Sequence, residues 1–431
     1  MAYAEKRVSQ AKGKKGKATW RARFKKPDGS WDSEPGFPTK TTALEYGQEQ
    51  EAAIRAGTWI DPKLGRVRFG EWALEWLQAQ SPRGRTTDNR WNLLESHILP
   101  RWRETALIAF TWFEVEAWAR GLAGAVAEST IRDAVGLLSR ILTGAVDARR
   151  IPINHLYNRR LTGVDAASAA RRGVRAAPVK PKPPVAPYAT TESVLRLTRR
   201  LGPLYGLHVL TVAFAGPRWE ELTGLHRDNA MLTRAEADEE GGIFTCPIIR
   251  IDAEIGALAE YAKRDPETGK RTSFRGIEPL KNPQSARDID LPPFLADLLQ
   301  QHLDSRPYPY VFTTAKGKWW WRNAWYEIIR PAADGRPARP PGRGRPACEE
   351  WEPLHPGLTM RRLRHTHDTW QAEEDVHPLL QHEQAGHKYP GIKGVYQHPT
   401  PSMRRHRLAA FQRRYERTME ALRWDRLWEA Q

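Results

Sequence analysis

The sequence predicts a multidomain α+β protein whose parts differ in secondary structure. Its 431 residues exceed what one ordinary core organises, and 40% of them are apolar, so two or three domains are expected. The hydrophobic period is two near the N-terminus, three to four over roughly the next hundred residues, and mixed from residue 188 onward. These changes predict a small sheet-plus-helix part, an all-helical part, and a mixed, mainly helical C-terminal part.

The N-terminal part, residues 1–64, is predicted to contain a small β-sheet and one helix. In TWRARF, apolar residues alternate with Arg21 and Arg23, which is the period of a half-buried strand. KPDGS then predicts a turn and WDSEPGF a second extended segment. The stretch TTALEYGQEQEAAIRAG predicts a helix from Thr41 that ends at Gly57.

One face of this N-terminal part is basic. The first 30 residues contain ten basic side chains and two acidic ones, and Arg21, Arg23 and Lys25 fall on the polar face of the predicted strand. Such a face suits a groove of DNA. A solvated strand with a basic tail remains the alternative.

Residues 65–165 are predicted to form a compact helical domain. Four segments carry apolar residues at three- and four-residue spacing, with Ser or Thr starts and Pro or Gly interruptions. These segments are FGEWALEWLQAQ, TTDNRWNLLESHIL, TWFEVEAWARGLA and STIRDAVGLLSRILTGAVDARR.

A basic, proline-rich stretch over 166–187 predicts an extended linker to the C-terminal part. After it, TESVLRLTRRLG and LHVLTVAFAG predict helices, whereas IFTCPIIRID, RDIDLP and YVFTT predict strands. The acidic stretch RAEADEEG over 234–241 is expected to be an exposed loop. Helices are expected from Trp325 onward. Residues 188–415 are expected to form one domain, and residues 416–431 a helical tail.

The charge balance favours a polyanionic partner. The chain has 68 basic and 51 acidic residues, a net charge of +17, and each Lys or Arg placed on a phosphate releases condensed counterions. RNA would suit this charge as well as DNA, and charge alone does not indicate an enzyme.

A cytoplasmic location is expected. The sequence lacks any uncharged apolar run of about 18 residues, so no membrane span is predicted. The N-terminal segment MAYAEKRVSQAKGKKGK has no apolar stretch and does not resemble a secretory signal. Cys246 and Cys348 are the only cysteines, which gives no disulfide framework and fits a reducing compartment.

Four stretches of the C-terminal part carry candidate catalytic residues. They are FAGPRWEELTGL with Arg218, EPLKNPQSARDIDLP with Lys281, LTMRRLRHTHDTW with Arg364, and GHKYPGIKGVY with His387 and Tyr396. Taken singly, each has a structural explanation: an ion pair for an arginine, a surface position for the lysine, and packing for the tyrosine.

Jointly, the four stretches match the motif set of a known family. AGPRWEEL fits T/A-G-x-R-x-x-E-L around Arg218, KNPQSARDIDL fits K-x3-S-x-R-x-(I/V)-x-L from Lys281, and LRHT contains Arg364. His387 follows Arg364 by 23 residues, and Tyr396 follows nine residues later. The chain therefore resembles the tyrosine recombinases, and specifically the phage-type or mobile-element integrases of the actinobacterial kind.

The resemblance implies a role for each motif residue. Tyr396 would attack a DNA phosphodiester and form a 3′-phosphotyrosyl link, while Arg218 and Arg364 would hold the non-bridging oxygens. Lys281 would protonate the leaving 5′-oxygen, and His387 would bind the phosphate or assist proton transfer. Because the link stores the bond energy, no cofactor is implied, neither ATP nor a metal.

The resemblance also implies an architecture and partners. Residues 1–64 look like an arm-type DNA-binding domain, 65–165 like a SAM-like four-helix core-binding domain, and 188–415 like a catalytic domain of the DNA breaking-rejoining type. The implied function is site-specific recombination that integrates or excises a phage genome or mobile element. The implied partners are double-stranded DNA attachment sites and three further copies in a homotetramer, with an excision factor or a host DNA-bending protein beside them.

One position departs from the family pattern. Three residues before the second arginine the family most often has histidine, whereas this chain has Arg361. Arg361 and Arg364 then share a helical face, and an arginine stays protonated near neutrality, so it cannot act as a general base. Arg361 is expected to bind the phosphate or the DNA backbone, and the group that takes the proton of Tyr396 stays open.

Three other functions are alternatives to the integrase. A metal hydrolase would need the histidines 377, 382 and 387 on one face, but five-residue steps turn a helix by about 140°, and no H-E-x-x-H motif occurs. A type IB topoisomerase uses the same nucleophile and arginines without strand exchange. A catalytically silent DNA-binding protein would keep the basic faces without needing the whole motif set.

The C-terminal tail is predicted to be an amphipathic helix. Leu408, Phe411, Tyr415, Met419 and Leu422 recur at three- and four-residue intervals. This apolar stripe would either pack on its own domain or, as the resemblance suggests, dock on a neighbouring protomer.

Overall fold

The structure is a computed structural model of the chain. It divides into two compact units, Met1–Pro178 and Val179–Gln431. The predicted linker, residues 166–187, lies outside the described residues. The residues that the structure describes are 1–8, 18–165, 188–239, 241–265, 269–342, 344, 346–391 and 396–428.

A three-stranded antiparallel sheet and one helix begin the first unit. The elements are β1 (Tyr3–Val8), β2 (Ala18–Lys25), β3 (Trp31–Phe37) and α1 (Lys40–Arg55). The sheet order is β1-β2-β3, and α1 packs against β2. Ala22 and Phe24 are buried, which confirms the predicted alternation in TWRARF. Strand β1 was not predicted.

Five helices follow in the described part of the first unit. They are α2 (Phe69–Gln78), α3 (Gly84–Leu93), α4 (Leu99–Trp102), α5 (Trp112–Leu122) and α6 (Glu128–Asp147). All four predicted helical segments are confirmed, and the second is divided into α3, a π-helical turn over Leu94–Ile98, and α4. Helix α6 directs its apolar stripe, including Leu138 and Leu142, into a core that also contains Trp102.

The second unit is built around a buried helix, α7 (Thr191–Ala215). Gly202 has φ 71° and ψ 175° and precedes Pro203, so α7 is two helical stretches, as the sequence predicts. Its second stretch is buried throughout residues 206–215. The helices that follow are α8 (Trp219–Thr223), α9 (Pro293–Ser305), α10 (Arg322–Asp334), α11 (Met360–Glu373), α12 (Pro378–Ala385) and α13 (Pro401–Ala421).

Two small antiparallel sheets flank these helices. Strands β4 (Leu232–Ala237), β5 (Ile243–Ile251) and β8 (Arg287–Asp290) pair in the order β4-β5-β8. A hairpin of β6 (Ala257–Arg264) and β7 (Arg271–Glu278) lies between β5 and β8 in sequence. Its base is closed by a hydrogen bond of 3.0 Å from the Leu280 N–H to the Ala253 carbonyl.

Two sequence predictions for this region were wrong. The acidic stretch predicted as a loop contributes strand β4, because Arg234 and Glu236 have ionic partners elsewhere in the fold. The YVFTT segment forms only an isolated bridge, between Tyr310 and His226, and no strand. The hairpin β6–β7 was not predicted.

The C-terminal helix packs on its own unit. Leu408, Phe411 and Met419 are buried, and Tyr415 stacks on Phe294 of α9 with ring centroids 3.8 Å apart. Beyond the helix, Trp428 donates a hydrogen bond of 3.1 Å to the carbonyl of Thr198. In the structure, the apolar stripe of the C-terminal helix therefore packs on its own domain, which is the first of its two predicted alternatives.

In the described part of the chain, no helix has both the length and the apolar character needed to span a bilayer.

We predict that Phe110→Ala destabilises the first unit by about 3–5 kcal/mol, because it leaves a cavity in a packed core. Phe110 is 2% exposed and lies 5.0 Å from Trp102 between ring centroids. Phe113→Ala is the matched control, since Phe113 is 79% exposed, and it should change the free energy of unfolding by less than about 0.5 kcal/mol. Urea unfolding followed by circular dichroism measures both, and equal losses would contradict the assigned core.

Candidate active site

A left-handed glycine forms the first turn of the site. Gly216 ends α7 with φ +77°, and a Cβ atom there would lie 2.4 Å from Cδ2 of His367, so only glycine fits without a shift. The Gly216 carbonyl accepts a hydrogen bond of 2.6 Å from Nη1 of Arg364. The A-G-P-R sequence thus joins the two predicted arginine motifs.

Arg218 is held by a carboxylate one helical turn away. It is the N-cap residue of α8, and its backbone N–H donates to Glu221 at 2.8 Å while its Nη1 donates to the same carboxylate at 2.7 Å. Its side chain keeps 37% exposure, whereas that of Glu221 has 2%. The guanidinium is therefore fixed on one side and open on the other.

Arg287 binds the same carboxylate from the opposite side. Its Nη2 and Nη1 lie 2.9 and 3.2 Å from the two oxygens of Glu221, and its Nε donates to the carbonyl of Gln384 at 2.7 Å. Burial raises the pKa of Glu221, but the Arg287 and Arg218 charges outweigh burial and lower it to about 2. Arg287 is the arginine of the K-x3-S-x-R motif, a position that had no predicted role.

Arg364 is buried between two carbonyls. Its helix, α11, has Thr359 as the N-cap residue, whose hydroxyl accepts from the Arg362 N–H at 3.2 Å. Besides Gly216, Arg364 donates from Nη2 to the carbonyl of Ala385 at 2.5 Å. Burial, with the charges of Arg218 and Arg287, lowers its pKa to about 10, so it remains charged at neutral pH.

His387 lies beside Arg218, on the segment that follows α12. Gly386 ends α12 with φ +65°, and His387 Nε2 is 3.4 Å from Arg218 Nη2. Since an arginine only donates, Nε2 is the acceptor and Nδ1 carries the proton. Desolvation and the Arg364 and Arg218 charges lower the pKa of His387, which favours the neutral ring at physiological pH.

The side chains of Arg218, Arg364 and His387 line one cavity of about 520 Å³ in the second unit. Arg361, exposed, lines it together with His365 one turn later on α11. Asp368 also lines it, and burial raises the pKa of this carboxyl. The lining residues are Arg218, Trp219, Glu220, Arg322, Trp325, Tyr326, Met360, Arg361, Arg364, His365, Asp368 and His387.

Arg322 is a cavity residue that the sequence analysis missed. It lies at the start of α10, pairs with Glu220, and has its guanidinium 4.7 Å from the centroid of the Trp219 ring. Its backbone N–H also donates to Glu260 of β6 at 3.3 Å. No motif marks this position, because its partners come from elements distant in sequence.

Two predicted catalytic residues lie outside the cavity lining. Lys281 is exposed in the turn after β7, and Tyr396 is 76% exposed. The structure therefore brings together Arg218, Arg361, Arg364 and His387. It does not bring Lys281 and Tyr396 into the same cavity.

The predicted DNA-binding residues lie on the sheet of the first unit. The guanidinium of Arg23 is 5.8 and 6.0 Å from the ring centroids of Tyr3 and Trp31, and the ammonium of Lys25 is 5.6 Å from Trp31. Both rings are exposed and contact each other edge to face. Arg21 shares the strand face of Arg23 and Lys25, opposite to the buried side chains of β2.

Comparison with known proteins supports the integrase resemblance. No family model matches the chain. Over 297 residues, 67% of this chain and 68% of the relative, it is 26% identical to the "Putative prophage phiRv2 integrase" of two Mycobacterium tuberculosis strains. The solved structure of the Tn1549 transposon integrase with a circular intermediate DNA aligns with a TM-score of 0.50 at 15% identity, covering 80% of this chain and 99% of that one.

The fold is that of the Tn1549 transposon integrase. Among the integrases, the prophage relative indicates the phage-type enzymes as the group that this chain resembles. The predicted resemblance, to a tyrosine-type enzyme for site-specific DNA recombination, is thereby confirmed.

We predict that the Glu221 carboxylate makes the stability of the second unit dependent on pH. Its folded pKa, about 2, is below the ordinary value of 4.5, so its contribution is complete above pH 4.5 and is lost as the pH falls toward 2. Glu221→Gln should therefore lower the free energy of unfolding most near pH 7, and the gap should narrow between pH 4.5 and 2. Urea unfolding over this pH range measures the difference in the free energy of unfolding, with the exposed Glu420→Gln as control. A difference that stays constant with pH would contradict the lowered pKa of Glu221.

Proposed function

We propose that this chain is a site-specific integrase that cuts and rejoins DNA through a 3′-phosphotyrosyl link to Tyr396. The observation that carries the proposal is the convergence of Arg218, Arg364 and His387 on one cavity, in a chain with a tyrosine nine residues after that histidine. The cavity offers charged donors held by buried partners. Such donors suit the equatorial oxygens of a trigonal bipyramidal phosphoryl transition state.

The two arginines would stabilise the negative charge that develops on the phosphate. As Tyr396 attacks phosphorus, the non-bridging oxygens gain charge, and preorganised guanidiniums bind them without further reorganisation. Glu221 fixes Arg218, and two carbonyls fix Arg364. Losing one such donor typically costs on the order of a hundred- to a thousandfold in rate.

The remaining groups would manage protons and position. The Tyr396 hydroxyl gives its proton to water or to the phosphate as its oxygen forms the new P–O bond, and the 5′-oxygen leaves with a proton that Lys281 supplies. His387, neutral and hydrogen-bonded to Arg218, would donate from Nδ1 to the phosphate or relay a proton. Arg361 would add a contact to the phosphate or the adjacent DNA backbone.

Each domain of the chain would bind a different part of the DNA or act on it. We propose residues 1–64 as an arm-type domain that uses Arg21, Arg23 and Lys25, and 65–165 as a SAM-like core-binding domain. Residues 188–415 would be the catalytic domain, preceded by the linker over 166–187 and followed by a tail over 416–431.

The partners would be two DNA attachment sites and further copies of the chain. The Tn1549 integrase was solved with a circular intermediate DNA, and the net charge of +17 fits such a partner. A homotetramer would exchange one strand pair at a time in the cytoplasm, with an excision factor or a host DNA-bending protein setting direction.

We predict that the unmodified protein forms a covalent complex with a nicked suicide duplex that carries its attachment core. The nick lets the short strand beyond the cleavage site diffuse away, so the tyrosyl link accumulates and withstands SDS. Tyr396→Phe should abolish the complex, because it removes the attacking oxygen. Tyr389→Phe is the control, since Tyr389 lies in the same stretch beside His382.

A gel after SDS treatment, followed by mass spectrometry of the linked peptide, reads the result. Binding of the duplex without any covalent product from the unmodified protein would instead favour a catalytically silent DNA-binding protein. Relaxation of a supercoiled plasmid without strand exchange would favour the topoisomerase.

We predict that Lys281→Met slows cleavage by about a hundred- to ten-thousandfold, the range for a general acid. A substrate with sulfur in place of the 5′-bridging oxygen should restore the rate, because a thiolate, with pKa near 8.5, leaves without a proton. Lys316→Met, at an exposed lysine in the same unit, should cleave both substrates normally. A defect in Lys281→Met that persists on the sulfur substrate would assign the lysine another role.

A further inference from the structure

Arg404 lies at the centre of a buried ionic network outside the catalytic cavity. It belongs to the first turn of α13, and its side chain is 4% exposed. Nη1 and Nη2 lie 2.7 and 3.2 Å from the two oxygens of Glu383, Nη1 is 3.0 Å from Asp290, and Nε is 3.1 Å from Glu236. One guanidinium thus joins three carboxylates on α12, β8 and β4.

The network continues to the catalytic cavity. Asp290 belongs to the same strand as Arg287, which binds Glu221, and Gln384 of α12 connects them. The Gln384 carbonyl accepts from Arg287 at 2.7 Å, and its side-chain nitrogen lies 3.4 Å from Asp290. Hydrogen bonds therefore run without interruption from Arg218 to Arg404.

Glu383 and Arg404 occupy the two ends of the stretch that carries the proposed catalytic residues. Helix α12 ends at Ala385, two residues before His387, and α13 begins at Pro401, five residues after Tyr396. The ion pair between Glu383 and Arg404 joins these helices at their adjoining ends. It fixes the points from which the chain leaves α12 and enters α13.

Stability alone is a weak reason for such a cluster. Buried ion pairs are often no more stabilising than well-packed apolar residues of similar volume, because taking the charges out of water is expensive. What an arginine provides is a planar fork with fixed directions, which can orient several carboxylates at once. The arrangement is therefore suited to setting geometry.

We propose that Arg404, held by Glu383 and Asp290, positions Tyr396 for its attack on the DNA phosphodiester; the inference rests on the proposed function. Arg404 is a positioning residue and touches no reacting atom. By fixing both ends of the stretch, it restricts the volume that Tyr396 samples and raises its effective concentration at the phosphorus. A displacement of about 1 Å of a reacting group costs up to about a hundredfold in rate.

The experiment compares two glutamates that pair with the same helix. Glu383 and Glu373 have 30% and 39% exposed side chains and form contacts of 2.7 and 2.8 Å with Arg404 and Arg414 of α13. Single-turnover cleavage of the suicide duplex, at protein concentrations that saturate the DNA, separates binding from attack. Glu383→Gln should slow formation of the covalent complex by about ten- to a hundredfold with unchanged Kd, because attack alone needs the fixed geometry.

Glu373→Gln is the matched control and should cleave like the unmodified protein, although both variants lose one ion pair and should show similar shifts in Tm. Arg404→Lys serves as a second variant. A lysine keeps one charge beside Asp290 but cannot orient three carboxylates, so it should slow cleavage at least as much as Glu383→Gln.

A second readout separates delivery of the tyrosine from damage to the phosphate site. In a Tyr396→Phe background, hydrogen peroxide supplies a small nucleophile: the hydroperoxide oxygen bonds to phosphorus and the 5′-oxygen leaves with a proton. This reaction needs the arginines but no positioned tyrosine. Adding Glu383→Gln should leave the peroxide rate unchanged.

The outcomes separate the inference from the function on which it rests. Equal covalent rates for Glu383→Gln and Glu373→Gln, or a peroxide rate that falls in parallel, would overturn the positioning role while leaving the nucleophile assigned. Absence of any covalent product from the unmodified protein would remove the proposed function itself.

Discussion

The site depends on one buried carboxylate that is shared by two guanidiniums. Glu221 lies between Arg218 and Arg287, and the attraction of both charges outweighs the desolvation that burial imposes. The turn after α7 is thereby bound to strand β8, and through Arg287 to the last turn of α12. Without this carboxylate, three elements distant in sequence would lose their common attachment.

The cavity is also prepared electrostatically for an anion. Arg364 donates to two main-chain carbonyls and not to an acid, so its charge is only partly compensated, and burial together with the neighbouring arginines lowers its pKa. Like charges that are close together repel each other, and a phosphate bound as we propose would relieve that repulsion. The electrostatic cost of gathering these charges is met on folding, which would preorganise the proposed site.

The features of the fold and the site that could be predicted from the sequence are those that depend on residues close together in the chain. Alternation in β2 and helical periodicity in α6 depend on near neighbours, and both predictions are confirmed. The motif set likewise marked four of the cavity residues, because their spacing is fixed along the chain. Arg322 and the strand β4 were not predicted. An acidic run such as that of β4 is typical of a solvated loop, and its counterion, Arg404, lies about 170 residues later in the chain.

Lys281 and Tyr396 show the limit of the same reasoning. Their spacing from the other motif residues identifies their roles, but spacing does not determine where an exposed side chain lies in the folded chain. Both belong to connecting segments between regular elements, so their positions depend on the elements at either end and not on local periodicity. Among the residues that the sequence motifs and the cavity have in common, Arg364 is held by the main-chain carbonyls of Gly216 and Ala385.

The hairpin β6–β7 has a consequence for how this fold can diversify. It leaves the sheet after β5 and returns before β8, and its base is closed by Leu280 and Ala253 and by Gly256, where a Cβ atom would lie 1.9 Å from the Glu278 carbonyl oxygen. Lys281 follows directly after that closure. Insertions or deletions at the far end of the hairpin would therefore not alter the distance along the chain from its base to the lysine. The length of the hairpin can thus vary during evolution without moving Lys281 relative to that base.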